Sequence, residues 1–366
     1  MPISEDVLKS SELAVIRLRA LYSRYGYTRF EMNNFEEYEL YARNKSFLVS
    51  DDVITFTGYG GKLMALRPDV TLSIVKNSSD DRHRKLYYNE NVYRATADRD
   101  FRERMQMGVE CVGDVGAYEV GETLYLAGAS LAEVGENYCL DVSHLGFLSG
   151  LIDAAGFTGD AREVVLRLIG EKNAPELRRV CAERGVSADL TARLASLAKL
   201  YGEFDETVGE LELISVNAET DAAIAELRAA HAVVKTLGGA GFRLDFSAMN
   251  DLRYYNGIIF RGYVEGVHTA VLSGGQYDNL MRSFGKRSGA IGFAVFLDLL
   301  GELHTQRRAV SDVLLIFGDS DGDEVARAVR ELTDAGYSVR AQREIRGDES
   351  TAKVAHIKNG RVKFDD

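Results

Sequence analysis

Residues 85–94 (KLYYNENVYR) and 104–113 (RMQMGVECVG) constrain the fold more than any other stretch. Both read as strands, and only the polar loop ATADRDFRE separates them. They are therefore expected to pair as antiparallel neighbours. An earlier hairpin has arms 52–57 (DVITFT) and 62–67 (KLMALR) around Gly58-Tyr59-Gly60-Gly61. Further strands are predicted at 137–143, 242–247, 252–263 and 268–273. Helical spacing predicts a helix over 4–25, with Ser4 as cap, Leu8, Leu13, Ile16 and Leu21 on one side, and Gly26 at its end. Other helices are expected from Asp69 to about Asn77, over 118–135 and 145–155, near 276–284, and over 293–304. No regular βαβ rhythm runs through these segments. The pattern predicts an antiparallel sheet with helices packed against it, an α+β fold.

From about 156 to 238 Leu, Ala, Arg and Glu dominate and β-branched runs disappear, as in AREVVLRLIG at 161–170. This predicts an all-helical insertion of three to five helices. The chain from 311 to 366 reads as a short separate α/β unit. It has strands at 312–318 and 338–343, a helix at 321–336, and a hairpin over 353–364 turning at Asn359-Gly360. The expected domains are 1–310, which contains the insertion, and 311–366.

Apolar residues make up 46% of the 366, enough to build a core, which excludes disorder as the main state. The 44 Lys and Arg stand against 56 Asp and Glu, a net charge of −12. A surface of that sign disfavours general nucleic-acid binding, which needs a basic surplus or stripe. Three widely spaced cysteines (Cys111, Cys139, Cys181) give no disulfide framework and point to a reducing compartment. Six scattered histidines show no paired metal-ligand spacing, so no metal or cofactor is expected. The acidic N-terminus lacks a signal core, and no apolar run approaches a membrane span. A cytoplasmic protein is expected.

Within 104–112, period-2 alternation places Arg104, Gln106, Gly108, Glu110 and Val112 on one face. Met105, Met107, Val109 and Cys111 take the other. A carboxylate and an amide on one strand face, with Gly108 between them, can bind an ammonium group. On this strand alone a solvated face is the better reading. Arg94 could meet an anion, although a lone Arg is more often a surface residue. Asp69 and Thr71 in LRPDVT lie near a helix start, where plain N-capping is the simpler reading. SGGQYD (273–278) sets a Gly-Gly pair between a strand and a helix, either a tight turn or a close approach to a ligand. In DLRYYNGIIF, Tyr254 and Tyr255 fall on opposite faces, one for the core and one for a pocket.

Taken in order, seven segments resemble the class II aminoacyl-tRNA synthetase catalytic fold, and specifically histidyl-tRNA synthetase. They are GYTRF (26–30), LRPDVT (66–71), NVYRATADRDFRERMQMGVECVG (91–113), HLGFL (144–148), LRYYNGIIF (252–260), GGQYDNL (274–280) and GAIGFAVFLDLL (289–300). The resemblance implies a six-stranded antiparallel sheet flanked by helices, and a homodimer built on the first helix and the strand after it. By position, Asp69, Thr71, Gln106 and Glu110 match the groups that hold the histidine amino group. Tyr255 and Tyr277 match those around the imidazole, and Arg94 matches an α-phosphate-binding Arg. Asp69 replaces a Glu and reaches less far.

The departures lie on the ATP side. Thr96 stands where the enzymes carry Glu, Leu299 where an Arg holds ATP, and Asn250 where a catalytic Arg precedes the tyrosine run. Asn33 takes the place of a Pro, and Arg253 that of an Asp. By analogy with phosphoryl transfer, losing one such Arg costs on the order of 10³ in rate. Residues 311–366 resemble the anticodon-binding module only in part and carry nine Lys and Arg against twelve Asp and Glu, a poor surface for tRNA.

This pattern resembles the HisZ family, the regulatory subunit of ATP phosphoribosyltransferase, whose members are synthetase-like paralogues without aminoacylation activity, so no catalytic residues are expected here. The resemblance implies a short-form catalytic subunit as partner in a hetero-octamer, and feedback inhibition of the first step of histidine biosynthesis by histidine. It implies neither tRNA nor membrane as partner. The alternative is a divergent histidyl-tRNA synthetase or a synthetase-like ligase.

Overall fold

The computed structural model describes residues 8–48, 52–95, 100–247, 255–302, 311–345, 353–358 and 360–365. Contacts divide the chain into two compact units, residues 1–303 and 304–366.

The first unit opens with α1 (Ser10–Arg24) and β1 (Thr28–Arg29). Predicted Ser4 lies outside the described residues. Instead Glu12 reaches back to accept from the Lys9 amide (2.8 Å). Ala14, Leu18, Leu21 and Tyr22 form the buried face, and Ile16 is exposed, off the stripe where the spacing placed it. Gly26 ends the helix at φ 79°. A small sheet follows: β2 (Phe35–Glu37), α2 (Tyr38–Arg43), β3 (Thr55–Thr57) and β4 (Leu63–Leu66), with β4 between the other two strands. The predicted hairpin is β3–β4, and Gly60 and Gly61 take positive φ in its turn.

Next come α3 (Thr71–Lys76), β5 (Arg84–Ala95), β6 (Phe101–Gly113), α4 (Ala117–Val134), β7 (Tyr138–His144) and α5 (Leu145–Ala154). The insertion holds α6 (Gly159–Gly170), α7 (Ala174–Glu183), α8 (Ala188–Leu197), β8 (Tyr201–Glu203), α9 (Phe204–Leu213) and α10 (Ala218–Thr236). It is thus five helices plus one short strand. The unit closes with β9 (Arg243–Asp245), β10 (Ile258–Val264), β11 (Leu272–Gln276), α11 (Asp278–Ser283) and β12 (Gly289–Phe296), then a 3-10 turn over Leu297–Glu302.

The main sheet has the order β1-β5-β6-β12-β11-β10-β7-β9-β8. Its middle six strands, β5 to β7 in that order, are all antiparallel, as the resemblance implied. β1 and β9 add to it in parallel, and β8 pairs antiparallel with β9, making nine. Two predictions fail here. Residues 293–296, read as helix, belong to β12. GAIGFAVF is buried on both sides, and a continuous apolar run cannot be told from a buried helix by periodicity. Gly274 and Gly275 lie inside β11 rather than in a turn.

One face of the sheet carries Val109, Cys111, Phe260 and Phe293 and packs on Leu18 and Tyr22 of α1 and Leu124 and Leu131 of α4. The other face carries Leu86, Tyr88 and Val112 and packs on Tyr41, Leu72, Val75, Tyr277 and Leu280. Each such side chain contributes roughly 1.5–3 kcal/mol when fully buried. With both faces covered, a polar residue pointing from β6 into the second layer must find partners there or face an enclosed cleft.

The second unit has β13 (Val313–Ile316), α12 (Gly322–Asp334), β14 (Val339–Gln342), β15 (Lys353–Lys358) and β16 (Arg361–Phe364). Its four strands run β14-β13-β15-β16, and Val313 and Leu315 pack on Ala328 and Leu332 of the helix. The Lys358↔Arg361 register confirms the two-residue hairpin turn, with Gly360 at φ 70°. Asn359 lies outside the described residues.

Candidate functional site

Glu110 anchors the site. It lies on β6, 2% exposed, and is therefore not on a solvated face. Thr71 Oγ1 donates to its Oε1 (2.9 Å) and Tyr277 Oη donates to its Oε2. Three separate segments, the start of α3, the middle of β6 and the start of α11, thus meet on one carboxylate. Burial pushes the Glu110 carboxyl up to about 8, against the two hydrogen bonds that favour its charged form. The negative charge of Asp69 pushes in the same direction as burial.

Small residues make the room. Gly292 is the β12 partner of Glu110, and a Cβ there would stand 1.8 Å from Glu110 Oε2. Gly275, next across on β11, would with a Cβ meet Tyr255 Cδ1 at 2.8 Å. Tyr255 is half-buried and packs against both core layers. Gln106 is 3% exposed, on the same strand face as Glu110, and its amide has no hydrogen-bond partner among the described residues.

Asp69 does two things. Its Oδ1 accepts from the Leu72 amide (2.9 Å), the helix-start role the sequence suggested. Its Oδ2 lies 3.8 Å from the Arg94 guanidinium. Burial raises its carboxyl above the usual range, opposed by Arg94. Thr71 is no cap: it is the first helical residue and spends its hydroxyl on Glu110. Arg94 is no surface residue either. Its side chain is 17% exposed, and its Nε donates to the Pro68 carbonyl (2.8 Å). The structure therefore gathers Asp69, Thr71, Glu110, Tyr277 and Arg94 into one connected set, with Gln106 and Tyr255 bordering it.

Among the departures, Leu299 packs half-buried against the main core. Asn33 uses its carbonyl to accept from Arg67 Nη1 (2.8 Å). Thr96, Asn250, Arg253 and Tyr254 lie outside the described residues. Sequence reasoning passed over Arg67 and Tyr88, both almost wholly buried beside the site. The register of β5 on β6 reveals Tyr88 as the partner of Gly108, information that a single sequence holds only once the pairing is known. Among the described residues no group of His, Cys, Asp and Glu is placed to hold a metal ion, and no helix is long and apolar enough to cross a membrane.

A nine-stranded sheet of this order, with the buried Glu110 carboxylate on the face turned away from α1 and α4, defines a class II synthetase-type body. The family model for histidyl-tRNA synthetase matches residues 4–300. A solved structure described as an ATP phosphoribosyltransferase regulatory subunit/histidyl-tRNA synthetase from Bacillus halodurans is 25% identical, with a TM-score of 0.76. That match covers 93% of this chain and 90% of the other. The HisG:HisZ complex of ATP phosphoribosyl transferase from Thermotoga maritima shares the fold at a TM-score of 0.61 and 20% identity, covering 78% and 96%. The ATP phosphoribosyltransferase regulatory subunit of Anaeromyxobacter sp. (strain Fw109-5) is 32% identical over 77% of this chain and 84% of its own length. The subunit of the same name from Ruminiclostridium cellulolyticum is 26% identical over 86% and 79%. The chain belongs to the family of ATP phosphoribosyltransferase regulatory subunits, the HisZ family.

Proposed function

We propose that this chain is a non-catalytic regulatory subunit. It is required for the activity of a short-form ATP phosphoribosyltransferase chain, and it senses free histidine in the Glu110 pocket. The observation that carries the ligand assignment is the buried Thr71–Glu110–Tyr277 set with the unpartnered Gln106 amide beside it. Asp69 and, once it gives up its proton, Glu110 offer the negative charge an ammonium group would pair with, and Tyr255 supplies an aromatic wall. Arg94, already engaged by Pro68 and Asp69, is a candidate anion contact for the ligand carboxylate. Leu299, packed into the core, brings no charge to an ATP phosphate.

In this reading the protein forms a homodimer through α1 and β1 and enters a hetero-octamer with four catalytic chains. Residues 311–366 serve as a truncated anticodon-binding-type unit that no longer grips tRNA. Feedback is linkage: histidine must bind the inhibited arrangement more tightly, with a coupling of about 1–3 kcal/mol. Mixing this protein with a short catalytic chain is expected to switch on phosphoribosyl transfer to ATP, and added histidine to suppress it. Neither protein alone should turn over. ATP–pyrophosphate exchange with histidine at synthetase-like rates would instead establish a ligase.

The raised Glu110 carboxyl sets a pH dependence. Below about pH 8 the empty pocket holds a proton that must leave before an ammonium can pair with the carboxylate. Histidine affinity is therefore expected to rise as pH climbs from 6 towards 8, by up to about tenfold per unit. Calorimetry in buffers of different ionisation enthalpy should show close to one proton released per site at pH 6.5. A flat profile with no proton release would remove Glu110 as the ammonium partner.

A further inference from the structure

We infer that Tyr88 is a further ligand contact in this pocket, its hydroxyl accepting a hydrogen bond from the ammonium group of the bound amino acid. This rests on the histidine reading above.

Tyr88 is the β5 partner of Gly108, so it shares a sheet face with Gln106 and Glu110. The residue is 2% exposed. A Cβ on Gly108 would lie 2.6 Å from Tyr88 Oη and 2.7 Å from Cζ, so the end of the phenol rests where a side chain at 108 would stand. The glycine in that strand makes space for the hydroxyl.

A buried phenol normally spends its hydroxyl on a neighbour. Tyr22 Oη pairs with Ser130 Oγ (2.9 Å), and Tyr277 Oη donates to Glu110. Tyr88 Oη has no hydrogen-bond partner among the described residues. Nor is it one of the sealed, unsatisfied atoms, which are Tyr41 Oη, Ser73 Oγ, Asn89 Oδ1 and Ser143 Oγ. Its hydroxyl therefore keeps an opening, on the face where the Gln106 amide is likewise unpartnered.

The surrounding charges indicate what fills that opening. Burial acts on Tyr88 most strongly; among the charged groups Glu110 and then Asp69 follow, with Arg94 opposing them. Burial and both carboxylates hold the phenol in its neutral form. A neutral hydroxyl beside Asp69 and beside a Glu110 that ionises when an ammonium binds favours a cation. An ammonium group carries three N–H donors. Glu110 and the Gln106 carbonyl oxygen supply two acceptors, and Tyr88 Oη supplies the third.

Tyr88→Phe removes one oxygen and keeps the ring. NMR titrations, which read millimolar affinities, would compare wild type and variant against three ligands. L-Histidine and histamine carry the ammonium; 3-(imidazol-4-yl)propionate keeps the ring and carboxylate and lacks it. The variant is expected to bind histidine and histamine about tenfold more weakly and the propionate unchanged. No loss for histidine, or an equal loss for all three ligands, would overturn the contact, the latter marking a structural role. If wild type itself fails to bind histidine, the pocket reading falls first and this assignment with it.

Discussion

Glu110→Gln is expected to weaken histidine binding by about a hundredfold while leaving the protein at least as stable as wild type. The binding loss follows from removing the charge that an ammonium group would meet: a hydrogen bond to a charged partner contributes about 1.5–3 kcal/mol, and each 1.4 kcal/mol is tenfold in affinity. The stability gain follows from the sign of the shift. Folding raises the Glu110 carboxyl from its ordinary value to about 8. The folded state therefore holds its proton more tightly than the unfolded chain. The favourable contribution is complete below the unfolded value near 4.3 and is lost as pH rises through about 8. Above that pH the buried charge costs the wild type on the order of a few kcal/mol, and the amide does not carry it. Urea unfolding at pH 5 and pH 9 would check this. The two proteins should be alike at pH 5, and the variant more stable at pH 9. A variant that is weaker at pH 9, or that binds histidine normally, would show that the carboxylate serves packing rather than a ligand.

The burial of Glu110 under a covering layer is also why the site was only half legible in the sequence. Alternation on 104–112 grouped Gln106, Gly108 and Glu110 correctly, because a strand's period fixes which side chains share a face. It could not say whether that face met water. The covering layer comes from Leu72 and Val75 on α3 and from Tyr277 and Leu280 near 280, some 30 residues before and 170 after. The antiparallel pair that fixes the fold was readable because its loop is short. The β12 segment was misread because burial on both faces erases the alternation that marks a strand. The capping role of Asp69 takes only Oδ1, which accepts from the Leu72 amide, while Oδ2 faces Arg94.

Arg67 is where the sequence was silent and the stability effect is largest. It is fully buried, 0% exposed, two residues before Asp69. Nη2 bonds Glu90 Oε2 (2.9 Å), the Asn91 carbonyl (2.7 Å) and Asn34 Oδ1 (3.3 Å). Nη1 donates to the Asn33 carbonyl (2.8 Å) and Nε to the Asn91 carbonyl (3.1 Å). The guanidinium fork thus ties the end of β4 to β5 and to the 33–34 turn, and so fixes where Pro68, Asp69 and Thr71 stand. Arg67→Ala is expected to cost about 3–5 kcal/mol, since it strands Glu90, the Asn34 side-chain oxygen and the backbone carbonyls of Asn33 and Asn91. Urea denaturation would measure it. The pair Arg67→Met with Glu90→Leu separates charge from positioning. If the ion pair alone mattered, an apolar pair of similar size should restore most of the loss. Four of the five bonds, however, go to groups other than Glu90, and a methionine can satisfy none of them. Recovery is therefore expected to stop short of wild type, and histidine affinity to stay low because the Asp69–Thr71 segment loses its tether. Full recovery of both would reduce Arg67 to a replaceable core residue.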